Sequence, residues 1–146
     1  MIPYTGSIRV RVVELSPGRV EILLRDRRRV RNHLASVHAV ALVNLGELAS
    51  GLAITTALAE GVRGIPIQLD AEYFAKARGD LHASAHFVPP PIEGDTDVTL
   101  QVPIRDGGGE TVALVTATWR LRAPADSAPS DDGEEGRRLG AGAVER

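Results

Sequence analysis

Between Ser7 and Leu15 apolar residues alternate with charged ones: Ile8, Val10 and Val12 against Arg9, Arg11 and Glu14. Ser16-Pro17-Gly18 reads as a turn, and the alternation resumes with Val20, Ile22 and Leu24. A period of two is the pattern of a strand with one buried face, so this stretch predicts a β-hairpin. Five arginines and one aspartate follow in Arg25-Asp26-Arg27-Arg28-Arg29-Val30-Arg31, too dense a charge for a strand core. That segment is expected in a loop or at a strand end, as a solvated basic edge.

The period then changes. From about Val37 to about Leu58 the residues are mostly good helix formers without proline. Ser36 stands where an N-cap belongs, and Gly61 with Gly64 stops the helix. Its apolar positions cover nearly the whole circumference, which predicts a helix buried on most sides. His38, Asn44, Glu47, Ser50, Thr55 and Thr56 interrupt it, a polar load that a membrane span of about 20 residues rarely carries.

The remainder reads as β. Ile65, Ile67, Leu69, Ala71 and Tyr73 alternate with Gln68, Asp70 and Glu72. After Arg78-Gly79-Asp80, Leu81, Ala83, Ala85 and Phe87 alternate with His82, Ser84 and His86, until Pro89-Pro90-Pro91 ends the strand. Val98–Ile104 and Thr111–Leu121 form a second hairpin about Asp106-Gly107-Gly108-Gly109. The order is ββ-α-ββββ, an α+β chain with a mainly antiparallel sheet. From Ala123 onward large apolar groups thin out, and six acids face three arginines. We therefore expect a folded domain over residues 1–122 and a disordered acidic tail over 123–146.

Composition narrows the function. Aromatic residues are only 3% of the 146, so Val, Leu, Ile and Ala must fill the core and no base-stacking surface is expected. A net charge of −2 gives no general attraction to nucleic acid or an anionic membrane. The absence of cysteine removes disulfides, thiolate catalysis and Cys-based zinc sites. Met1-Ile2-Pro3-Tyr4 has no basic region followed by an apolar core, so a cytoplasmic location is expected. His33, His82 and His86 are scattered, with no acid at ligand spacing, so no metal is expected.

Asn32-His33-Leu34-Ala35-Ser36-Val37-His38-Ala39 resembles the Asn-x-x-Gly-x-x-His-Gly motif of the phenylacetyl-CoA thioesterase-like branch of hot-dog proteins. Glu47, nine residues after His38, stands where that branch has its acidic catalytic residue. Asp70 to Asp80 is similar to the family's strand ending in a basic residue, Gly and Asp. Val30–Gly51 looks closest to a hot-dog branch catalogued only as a domain of unknown function. The resemblance covers about Ile8 to Arg122. It implies a hot-dog fold, a sheet wrapped around one central helix, and an acyl-CoA thioesterase working as a homodimer or tetramer, with sites between subunits and no cofactor. Three positions depart from the pattern: Ala35 and Ala39 replace glycines, and Gly51 stands where a hydroxyl is frequent.

The chemistry has a physical basis beside the resemblance. A thioester carbonyl gains negative charge when attacked, and a helix N-terminus offers unpaired N–H groups and a positive dipole end. The Ala39 N–H is the expected oxyanion donor. Glu47, eight residues on, falls on roughly the same helix face and can act as base or nucleophile. Asn32 and His38 are expected to orient the water or the thioester. Asn44 and Ser50 are expected to hydrogen-bond Glu47 or a water. Lys76 and Arg78, with the Arg25–Arg31 run, are candidates for the CoA phosphates. Each also has a plainer role: Glu47 as an interface acid, His38 as a helix cap, Asn32 as a loop anchor. The alternative function is a catalytically silent hot-dog that binds acyl-CoA or serves as an assembly scaffold. A hydratase on this fold would need a different His-and-acid motif.

Overall fold

The computed structural model of the chain describes residues 3–125. A short helix α1 (Pro3–Ile8) is followed by strands β1 (Arg11–Ser16) and β2 (Arg19–Leu24), a 3₁₀ turn (Arg28–Val30) and the long helix α2 (Ala39–Ala57). Strands β3 (Arg63–Tyr73), β4 (Leu81–His86), β5 (Asp95–Arg105) and β6 (Thr111–Arg122) complete the fold. All six strands form one antiparallel sheet in the order β1-β2-β4-β5-β6-β3, with α2 packed along it. This is the ββ-α-ββββ order expected from the sequence.

The core forms where alternation meets the helix. Val20, Ile22 and Leu24 of β2, Leu81, Ala83 and Ala85 of β4, and Val115, Ala117, Trp119 and Leu121 of β6 point inward. They meet Leu42, Leu45, Ala49 and Ala53, which follow helical spacing on one face of α2. By length and composition alone α2 would pass as a membrane span; its packing on the sheet makes it the core helix. Gly46 lets it sit close, because a Cβ there would lie 2.3 Å from Val115 Cβ.

Three expectations change. Ser7 and Ile8 belong to α1, so the first strand starts at Arg11, after Arg9 ends the helix with φ +51°. In β1, Val12, Val13 and Leu15 are exposed, and a bulge between Val12 and Glu14 breaks the alternation. In β3, Ile65, Ile67, Leu69 and Tyr73 are also exposed, because β3 is a sheet edge that pairs with β6 alone. Alternation marked an apolar face in both strands, but α2 does not cover it.

Burial of α2 is correspondingly one-sided. Val40 and Thr55 are exposed, and Val43, Glu47 and Gly51 between them are only partly covered. These residues recur at three and four, so they form an open stripe opposite the packed one. The acidic tail expected from Ala123 lies, from residue 126 on, outside the described residues.

Candidate functional site

The site begins where the chain enters α2. Residues 37 and 38 are held extended, not helical: Val37 N–H donates to Ala77 O (2.7 Å) and His38 N–H to Val30 O (2.7 Å). The helix therefore starts at Ala39, and His38, not Ser36, is its cap. His38 Nδ1 accepts from Val40 N–H (3.1 Å), and His38 O accepts from Ala41 N–H (2.9 Å). A ring nitrogen that accepts is unprotonated, so a neutral His38 carries its proton on Nε2. The Ala39 N–H has no acceptor among the described residues, while Val37, His38, Val40 and Ala41 on either side are all bonded. One unbonded amide, on an exposed residue, thus stands at the positive end of the helix. Tyr73 Oη donates to Ala39 O (3.2 Å), which ties the end of β3 to this first turn.

Asn32 builds the loop that leads there. Its Oδ1 accepts from Leu34 N–H (2.9 Å), Ser36 N–H (3.3 Å) and Ser36 Oγ (3.1 Å), the plainer of its two expected roles. Within that loop Ala35 has φ +57°, a left-handed conformation that glycine adopts more cheaply. Ala39, the other residue at a family glycine position, has no such φ.

Glu47 lies on the open stripe, half-buried. Burial pushes its carboxyl above the usual value, and its side chain has no hydrogen-bond or ionic partner among the described residues. Asn44, one turn earlier, is buried with its Nδ2 unpartnered among the described residues, while its Oδ1 accepts from Thr5 Oγ1 (3.4 Å). Ser50 is not available to Glu47's carboxylate. Its hydroxyl donates to Glu47 O (2.9 Å) and accepts from Trp119 Nε1 (2.9 Å), fully buried. The same Trp119 explains Gly51, since a Cβ there would come within 2.9 Å of the indole ring.

The loop 74–80 brings Lys76 and Arg78, both exposed, beside the helix entry, because buried Ala77 between them accepts the Val37 bond. Asp26 clamps this loop to the basic segment. It accepts from Arg31 Nε (2.7 Å) and Gly79 N–H (3.1 Å), which lower its carboxyl from its ordinary value. An apolar cleft of about 460 Å³ lies between α1, β1 and α2, with Val10, Val12, Leu48 and Leu52 on its walls. His33 is exposed in the entry loop, and His82 Nδ1 lies 2.8 Å from Glu21 Oε1. That acid sits on the neighbouring strand, so spacing along the chain could not reveal the pair.

A family model described as a domain of unknown function, DUF4442, matches residues 1–121. The chain belongs to this family. Comparison with proteins of curated function gives no match. Among solved structures, the structural-genomics protein APC5556 is 34% identical with a TM-score of 0.76, over 82% of this chain and 81% of that one. The probable thioesterase PA5026 of Pseudomonas aeruginosa is 24% identical with a TM-score of 0.74, over 83% and 87%. The phenylacetic acid degradation protein PaaI of Thermus thermophilus is 23% identical with a TM-score of 0.69, over 82% and 98%. The DUF4442 chain has the hot-dog fold. Sequence reasoning about the DUF4442 chain missed the Ser50–Trp119 bond, whose partners are 69 residues apart, and the α1 side of the apolar cleft.

Proposed function

We propose that the chain is a thioesterase that hydrolyses an acyl-CoA to the free acid and CoA. The observation that carries this reading is the single unbonded amide of Ala39 at the exposed start of α2, on the same helix as the partner-free carboxylate of Glu47. Glu47 as general base takes a proton from water, whose oxygen attacks the thioester carbon. The carbonyl oxygen takes up the negative charge against the Ala39 N–H. The C–S bond then breaks, and the CoA thiolate leaves and gains a proton. Attack by the carboxylate itself, through an anhydride that water opens, gives the same products. The Nε2–H of His38 and the Nδ2 amide of Asn32 are the donors available to orient the water or thioester.

We propose a homodimer as the working unit. Eight residues of helix set Ala39 and Glu47 about 12 Å apart along the axis, which is wide for one carbonyl. The open stripe of α2 and the exposed face and edge of β3 offer a second copy a self-complementary surface. One chain's Glu47 would then work opposite the other's Ala39.

The test is thiol release from a panel of aliphatic and aromatic acyl-CoAs. Glu47→Gln should lower kcat by about 10²–10⁴-fold with the fold intact. Because the carboxyl is raised by burial and must be ionised to act, the wild-type rate should rise with pH. Its midpoint should lie above that of an ordinary exposed glutamate. Full activity in Glu47→Gln would end the assignment. A second reading, a hot-dog protein that binds acyl-CoA without turnover or serves as a scaffold, is favoured by one observation. With Ser50 bonded to Trp119 and glycine at 51, neither position offers Glu47 a free hydroxyl. Binding of CoA esters without thiol release would establish it.

A further inference from the structure

Arg9, Arg27, Arg28 and Arg29 line one cleft of about 350 Å³, between the end of α1 and the 3₁₀ turn, with Val30 at its wall. Among the described residues none of the four has a carboxylate within ion-pair distance; the neighbouring Asp26 is taken by Arg31. Four arginines lining one concavity gather positive charge there, and the planar forks of their side chains match phosphate oxygens.

A second observation is independent of charge. Arg9 occupies the position after α1 with φ +51°, where glycine is the inexpensive choice. Arg27 Nη2 donates to the Arg9 carbonyl (3.3 Å), so the strained residue is fastened to the basic turn. Residues on unfavourable backbone cluster at ligand and active sites. The cleft is also close to the candidate site, since the carbonyl of Val30 accepts the His38 amide at the start of α2.

We infer that this cleft is a polyanion site that holds the phosphorylated nucleotide end of the thioester substrate. The assignment to a CoA ester rests on the hydrolase reading, whereas the affinity for a phosphorylated nucleotide does not. The basic loop carrying Lys76 and Arg78 is clamped to the same segment through Asp26 and extends the positive surface toward the helix entry.

The experiment is calorimetric titration of the full-length protein with adenosine 3′,5′-bisphosphate, alongside the thiol-release assay. Wild type should bind, more weakly as salt is raised. Arg28→Ala/Arg29→Ala should weaken binding by about tenfold or more. Arg9→Gly relieves the backbone while deleting a charge, so it should bind more weakly without melting at a lower temperature, an outcome that a purely structural arginine would not give. S-acetyl-pantetheine, which lacks the phosphates, should not displace the nucleotide. Nucleotide binding with these losses but no hydrolysis of any ester would keep the site and remove the hydrolase reading. Hydrolysis by a protein that does not bind the bisphosphate, or whose arginine variants bind it like wild type, would overturn the site.

Discussion

The methyl group of Ala35 rides on left-handed backbone, in a loop pinned by three hydrogen bonds to Asn32 Oδ1. An L-residue there costs about 1–2 kcal/mol, while glycine adds freedom to the unfolded chain worth somewhat less. Ala35 is exposed, so no packing is lost on its removal. Ala35→Gly should therefore stabilise the protein by about 1 kcal/mol, read as a higher denaturation midpoint with an unchanged slope. The sequence makes both family glycines conspicuous as alanines, but it cannot say which needs positive φ. Only the loop's hydrogen bonds distinguish Ala35 from Ala39. Ser50 is similar: its spacing put it near Glu47, and a tryptophan from the far end of the chain claimed its hydroxyl.

At the scale of elements, α2 was legible because nineteen helical residues carry a strong pattern, and its start moved by two residues for a tertiary reason. The bonds from Val37 and His38 to Ala77 and Val30 come from segments that the local pattern does not contain. Gly46 shows how packing overrides propensity. In an open helix alanine would be better than glycine by about 1 kcal/mol. Here the added carbon would lie 2.3 Å from Val115 Cβ, a branched atom close to the strand backbone that cannot turn aside. Overpacking of this kind costs about 1–3 kcal/mol or more, so Gly46→Ala should be destabilising, seen as a lower melting temperature. The strand β3, and β1 from Arg11 on, were placed correctly as strands but not in their burial. Alternation reports which face is apolar and says nothing of what covers it.

For the whole molecule, the homodimer proposal rests on the uncovered surface of β3. A long edge strand with free backbone groups and exposed Ile65, Ile67 and Leu69 invites pairing with another chain. Under the homodimer proposal, Ile67→Lys should place a charge in that contact. The expected result is a shift to monomer in analytical ultracentrifugation with loss of thiol release, while far-ultraviolet circular dichroism stays the same. A monomeric wild type with full activity would remove the need for a second chain.

The buried bond between Trp119 and Ser50 also has a practical side. The chain has one tryptophan, and its indole lies in the seam between β6 and α2. Tryptophan emission, excited where the two tyrosines do not absorb, therefore comes from a single position and reports on one event, the seating of the helix on the sheet. Because that seam is interior to one chain, emission can follow folding while sedimentation follows association, and the two processes can be separated without attaching a dye.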